Sequence, residues 1–277
     1  MKGRILLIPI GGLANRMRVI ASTAKMTAEN GGTMSVIWNI NNWLGCGSRE
    51  LFTLKGYEIR DRNDRGIAHL RNRIGSRTYF LRGVRYYGNE SIYRYTVGIP
   101  EEDYRKNLTE IMAYEGDMCF ETDAGFYWGR DWSIFEWDRE ITAGSEAIIE
   151  KLGGKGHYVS MHIRRTDHLQ AAKDSPDSVF IDRLDMIFEK DGDRKVFLAT
   201  DSPELEKRLM DRYGRNRIIS GGEKPLGRGS AAGIKAAAVD LLCLSGGCEI
   251  YGSAGSSFAD TAAHLGGGKC ITLRAGS

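Results

Sequence analysis

An α/β fold built on parallel sheet is predicted by three features of the sequence. The chain opens with a strand, a glycine pair, a helix and a second strand over residues 4–40. From about residue 158 to the end, short apolar segments alternate with segments of helical period. In both stretches the strands read as continuous apolar runs, the pattern of strands covered on both faces, rather than as apolar–polar alternation.

In order, Arg4–Ile10 is such a run, Leu13–Glu29 reads as a helix closed by Gly31-Gly32, and Thr33–Ile40 is a second strand. This is a β-loop-α-β unit with a right-handed crossover. From about Gly45 to Gly129 the segments are short, aromatic and arginine-rich, without sustained period. An α/β domain with long loops or insertions is expected there, its topology undrawn. Thr142–Leu152 looks helical, and Gly153-Gly154-Lys155-Gly156 is the expected joint, dividing the chain into 1–152 and 153–277. Beyond it come strand Tyr158–Ile163, helix Val179–Glu189, strand Lys195–Thr200 and helix Pro203–Tyr213. Strand Arg217–Ser220, helix Ser230–Leu244, strand Glu249–Tyr251, helix Ser257–Leu265 and strand Lys269–Leu273 complete the series. This alternation is Rossmann-like, and such sheets bind ligands beyond the carboxyl ends of their strands.

Bulk properties exclude little. The net charge of +3, with 42% hydrophobic and 27% charged residues, is that of an ordinary globular protein. The basic surplus is local: nine arginines lie between Arg60 and Arg94 against Asp61, Asp64 and Glu90. Five cysteines without CxxC spacing suggest neither a zinc ribbon nor a redox pair. The apolar run at the N-terminus breaks at Pro9, too short for a signal segment. A cytoplasmic location is expected, with membrane-surface association left open.

The loops beyond the strands carry the chemistry. After Ile163 come Arg164, Arg165, Thr166, Asp167 and His168, with His162 on the strand itself. Paired guanidiniums at a strand end suit phosphate oxygens; the plainer reading is an ion pair of Arg164 or Arg165 with Asp167 or Asp201. Asp201 ends its strand ahead of Ser202-Pro203, a good helix start, and could in addition accept from a guanine base. Gly252-Ser253-Ala254-Gly255-Ser256-Ser257-Phe258 would let backbone N–H groups meet a phosphate at a helix N-terminus, or serve only as a serine-capped turn. The first loop, Gly11-Gly12-Leu13-Ala14-Asn15-Arg16, is neither GxGxxG nor a Walker A loop but could present N–H groups, Asn15 and Arg16 to an anion.

These motifs resemble the GDP-fucose-dependent fucosyltransferases, a superfamily that includes alpha-1,6, nodulation, alpha-1,2 and protein O-fucosyltransferases. The likeness is nearest to alpha-1,6 enzymes, whose His-Val-Arg-Arg-Thr-Asp is similar to His162-Ile163-Arg164-Arg165-Thr166-Asp167. Phe197-Leu198-Ala199-Thr200-Asp201 resembles their second motif, Ser256-Ser257-Phe258 the third, and Gly11–Arg16 the glycine-rich first loop. The resemblance implies a GT-B-like fold, two Rossmann-like domains facing a central cleft. Residues 1–152 would be the acceptor side and 153–277 the nucleotide-sugar domain. It implies that Arg164 binds the β-phosphate and is the catalytic residue, and that His162 and Asp201 contact guanosine. Ser256, Ser257 and Phe258 would line the diphosphate and base, with Arg165, Asp167, Gly11, Gly12, Asn15 and Arg16 completing the site. The donor would be GDP-fucose, the acceptor a glycan or glycoconjugate, and the transfer inverting, with no cofactor or metal.

Asp191-Gly192-Asp193 precedes a strand and reads as a turn, whereas the metal-binding DxD of other glycosyltransferases follows one. For a general base, Glu121, Asp123 and Asp131 are all open. Arg71, Arg73, Arg77, Arg82 and Arg85 interleave with Tyr79, Phe80, Tyr86 and Tyr87, and Phe126, Tyr127, Trp128, Trp132, Phe135 and Trp137 form a second cluster. More than half of these are expected to be core with snorkelling arginines, the rest an acceptor groove. Competing readings are a kinase or sulfotransferase, which the missing Walker A lysine opposes, and a non-catalytic binder of nucleotide or polyanion. A nucleic-acid partner is not expected under the fucosyltransferase reading.

Overall fold

A computed structural model describes residues 3–78, 82–96, 98–100, 103, 106, 108–166, 169–222 and 227–276. The chain forms two compact units, residues 1–138 with 227–234, and residues 139–226 with 235–277.

The first unit contains β1 (Arg4–Pro9), α1 (Leu13–Asn30), β2 (Thr33–Ile40), β3 (Phe52–Leu54), β4 (Glu58–Asn63), α2 (Ile67–Arg77), β5 (Arg85–Gly88), α3 (Asn89–Thr96), α4 (Thr109–Ala113), β6 (Met118–Thr122) and β7 (Phe135–Trp137). Five of these strands make one parallel sheet in the order β4-β2-β1-β6-β5. β1 is central, with Ile5 in register with both Met34 and Met118, and its Ile5, Leu7 and Ile8 are buried, with α1 packed against the strand. α1 supplies Leu13, Met17, Ile20 and Ala24 to that core. β3 and β7 pair antiparallel outside the main sheet. They are pinned by Phe52, which meets Trp38, Phe135 and Trp137 edge-on at 4.9–5.6 Å. Burying one such ring contributes about 2–3 kcal/mol.

The second unit contains α5 (Arg139–Lys151), β8 (Tyr158–Ile163), α6 (Leu169–Asp174), α7 (Asp177–Lys190), β9 (Lys195–Thr200), α8 (Pro203–Tyr213), β10 (Ile218–Ile219), β11 (Glu249–Ser253), α10 (Ser257–Leu265) and β12 (Cys270–Leu273). Between β10 and β11 runs α9 (Ala231–Ser245), whose first residues count with the other unit. The sheet is parallel throughout, in the order β10-β9-β8-β11-β12. One face packs on α7 and α8 through Met161, Ile163, Leu198, Phe180, Leu184, Leu205 and Leu209.

The units divide between Asp138 and Arg139, ahead of the joint expected at 152/153. The reason is that α5 buries Ile141, Ser145 and Ile149 and packs within the second unit. The Ser145 carbonyl accepts from the Cys243 thiol (3.7 Å), and Lys235 pairs with Glu140 at 2.9 Å. Gly153 and Gly154, at φ of 94° and 97°, are therefore the left-handed stop of α5, with the Gly154 N–H bonded to the Ile149 carbonyl. Among the described residues no helix is long and apolar enough to cross a membrane.

Candidate functional site

At the carboxyl end of the second sheet, β8, β9 and β11 stand side by side, with Ile163 opposite Thr200 and His162 opposite Gly252. A Cβ on Gly252 would lie 2.6 Å from the Ala259 side chain. The missing side chain is what lets α10 sit close on β11 and brings its N-cap, Ser256, over β8. Ser256 Oγ accepts the Ala259 N–H at 3.3 Å and lies 2.9 Å from His162 Nδ1. The hydroxyl, able to donate once and accept twice, thus links the N-terminus of α10 to the imidazole on β8. The Phe258 ring tilts against the imidazole at 5.0 Å. Two further serines hold this turn, Ser253 within the expected loop and Ser175 outside it. Ser253 Oγ accepts the Arg164 N–H (3.1 Å), and buried Ser175 accepts the Ala254 N–H at 2.8 Å while donating to the Leu273 carbonyl.

Asp201 organises the neighbouring loop. Its carboxylate accepts the Arg165 N–H (2.7 Å), the Thr166 N–H (3.1 Å) and the Thr166 hydroxyl (2.7 Å). Ser202 caps α8 separately, accepting from the Leu205 N–H. Arg165 turns inward: its Nε donates to Asp177 (2.7 Å), its Nη1 to the Arg164 carbonyl (2.7 Å), and its guanidinium lies over Phe180. Arg208 closes on the other Asp177 oxygen. Arg165 is thus ion-paired, but with Asp177, which is neither of the partners expected, Asp167 and Asp201. The Asp201 carboxylate is taken up by the Arg165 and Thr166 N–H groups and the Thr166 hydroxyl. Asp167 lies outside the described residues. Arg164 is half-buried at the strand end, and Ser257 and Phe258 are half-buried at the start of α10.

In the first unit, Gly11 and Gly12 link β1 to α1. Arg16 does not reach out from this loop. It is fully buried, donating to the Gly11 carbonyl (2.9 Å), the Asn39 carbonyl (2.6 Å) and Asn41 Oδ1 (3.3 Å), with its guanidinium over Trp38. Burial pulls its pKa down to about 10, partly offset by Asp64, so it stays charged at neutral pH. Asn15 is half-buried on the same turn, 3.1 Å from where a Gly11 Cβ would stand. Arg228, which sequence reasoning passed over, places Nη1 3.5 Å from where a Gly12 Cβ would stand.

A cavity of about 570 Å³ opens at the carboxyl ends of this first sheet, lined among others by Arg62, Asp64, His69, Tyr86, Asn89 and Glu121. Its size suits a small ligand. Its walls carry both signs of charge and several amide groups. Tyr86 donates to Glu121 at 2.7 Å, and Asp64 accepts from Asn72 and lies 3.3 Å from His69. Of the three carboxylates left open as bases, Glu121 lines this cavity. Asp123 accepts from Tyr93, whose pKa burial and that hydrogen bond push up to about 12. Asp131 caps a short 3-10 turn, accepting from the Ser133 N–H and hydroxyl. Of the aromatic residues in these two clusters, Tyr87, Phe126, Tyr127 and Phe135 are buried, Trp128, Trp132 and Trp137 are half-buried and Tyr86 is exposed. Tyr79 and Phe80 lie outside the described residues. Asp191–Asp193 forms the expected turn, closed by an Arg194–Asp191 pair at 3.1 Å. Among the described residues no three histidine, cysteine or acidic side chains converge as a metal site would require.

No family model matches the sequence, and no curated protein matches it either. Solved structures do. The NodZ alpha-1,6-fucosyltransferase soaked with GDP-fucose superposes with a TM-score of 0.63 at 16% identity, over 95% of this chain and 93% of that one. The chain has the fold of the fucosyltransferases. The FUT1 of Arabidopsis thaliana, in a substituted form with GDP, gives 0.61 at 14% identity over 98% of this chain and 70% of that one. POFUT1 with GDP-fucose gives 0.53 at 11% over 98% of both chains. At these identities the fold of the fucosyltransferases is what is shared.

Proposed function

We propose that the chain transfers fucose from GDP-fucose to a hydroxyl of a glycan or glycoconjugate, with inversion and without a metal. The observation that carries this reading is the cluster at the carboxyl end of the second sheet. His162, Ser256 and Phe258 are held together beside the Asp201-braced turn that presents Arg164, in the fold of enzymes solved with GDP-fucose or GDP. The N-terminus of α10 adds the positive end of a helix dipole on the same side of that sheet.

In this reaction the C1–O bond to GDP breaks through an oxocarbenium-like transition state while the acceptor oxygen bonds to C1 from the opposite face. The bonding pair leaves with the β-phosphate, so negative charge grows there. Arg164 acts by binding that charge more strongly in the transition state than in the ground state. Arg165 supports it from behind, its own charge engaged by Asp177. The cavity of the first unit, with its amides and mixed charges, suits a polyhydroxylated acceptor ring, and Glu121 on its wall is our candidate for the general base.

The test follows GDP release from GDP-fucose across a panel of glycan acceptors, with EDTA present throughout. Acceptor-dependent release giving an inverted linkage is expected. In Glu121→Gln, turnover is expected to fall roughly 100-fold or more with GDP affinity unchanged. GDP binding without transfer to any acceptor would instead favour a non-catalytic nucleotide binder.

A further inference from the structure

The outer side of α2 is built the wrong way round for a helix of a globular unit. Surface helices turn their apolar stripe to the core and their charges to water. In α2, His69, Asn72 and Arg73 face the cavity, while Ile67 and Leu70, one turn apart on another side, are 88% and 60% exposed. Another large apolar side chain of the first unit is exposed as well. Trp43 is 62% exposed, on a turn where its N–H bonds Asn41 Oδ1 at 3.0 Å. Arg65, just ahead of α2, donates to the Asn41 carbonyl at 3.4 Å, which ties the Trp43 turn to the start of the helix.

The charge on α2 itself has one sign. Between Ile67 and Arg77 there are three arginines and no carboxylate, and Arg65, Arg71 and Arg73 are exposed. We infer that α2 and the Trp43 turn dock the first unit on an anionic lipid surface, with Ile67, Leu70 and Trp43 entering the headgroup–acyl boundary and the flanking arginines meeting lipid phosphates and carboxylates. Charge complementarity selects this occupant, because an interfacial helix combines an apolar side with a cationic rim. Size argues against a stable protein partner: two aliphatic side chains and an indole cover far less than the roughly 800 Å² per partner of a specific interface. Docking is expected to be weak and reversible, and to place the cavity that α2 lines close to acceptors carried on that surface.

The full chain would be floated with phosphatidylcholine vesicles containing phosphatidylserine, and in parallel with pure phosphatidylcholine vesicles. Co-migration with the anionic vesicles alone, weakening as salt is raised, is expected. The double variant Ile67→Ser/Leu70→Ser should bind at least roughly tenfold more weakly, and Arg71→Glu should also lose affinity. Both sets of side chains are exposed, so the melting temperature and GDP binding should match the parent's. Failure to float with anionic vesicles, or equal flotation of parent and double variant, would overturn the inference. A dimer in vesicle-free solution that the double variant loses would overturn it too, assigning the patch to a second copy of the chain.

Discussion

Replacing Asp201 with alanine would remove the acceptor for three donors at once, the N–H groups of Arg165 and Thr166 and the Thr166 hydroxyl. Part-exposed donors recover water, so a loss of about 2 kcal/mol is expected, read as a lower urea midpoint, together with weaker GDP binding because the Arg164 turn loosens. Asp177 makes a different, pH-dependent contribution. Burial alone would raise its pKa, but hydrogen bonds and charge from Arg165 and Arg208 outweigh it and hold the carboxyl below its ordinary range. A folded-state pKa below the unfolded value of about 3.9 stabilises the fold above that pH. The contribution is lost as pH falls through the depressed folded value. The stability difference between the parent and Asp177→Asn should therefore be constant near neutrality and shrink below about pH 4; a difference flat down to acid unfolding would show that the pair contributes nothing.

At the scale of elements, the second unit was legible because buried parallel strands read as uninterrupted apolar runs. Tyr158–Ile163, Lys195–Thr200, Pro203–Tyr213 and Ser257–Leu265 fall at the residues the sequence indicates. The middle of the first unit was not legible, and β4 shows why. It is an edge strand of sequence Glu-Ile-Arg-Asp-Arg-Asn, its side chains exposed or half-buried, so no apolar period marks it. Helix α2 hides for the related reason that its apolar side faces outward. Strand ends told where the site loops lie, but not which way a long side chain turns at the end of a strand. Arg165 and Arg16 have the residue type and position of anion ligands, yet each is engaged by protein acceptors. Arg16 in effect staples the β1–α1 loop to the end of β2. Arg16→Met should cost about 3 kcal/mol by removing the donors to the half-buried Gly11 and buried Asn39 carbonyls. Calorimetry would register this as a large fall in melting temperature; a melting temperature within a degree or so of the parent's would mean that water replaces the guanidinium.

For the whole molecule, two Rossmann-like sheets offer two sets of carboxyl strand ends with different chemistry. The second unit gathers an imidazole, serine hydroxyls, an arginine and a helix N-terminus, which suits a nucleoside diphosphate. The first surrounds a mixed-charge cavity with a tyrosine-oriented carboxylate, which suits a hydroxyl-rich acceptor. The division of labour stands or falls with the nucleotide, because acceptor binding has no transfer to support without it. The measurement to make is the thermal shift of the full chain with GDP, UDP, ADP and NAD in EDTA, alongside Arg164→Ala. Stabilisation by GDP alone is expected, at roughly 2–3 kcal/mol for GDP at 100 times its Kd, and lost in a variant that melts normally without ligand. Equal shifts with all four nucleotides, or none with GDP, would contradict the account and leave the Arg164–Thr166 loop as an ion-paired structural turn.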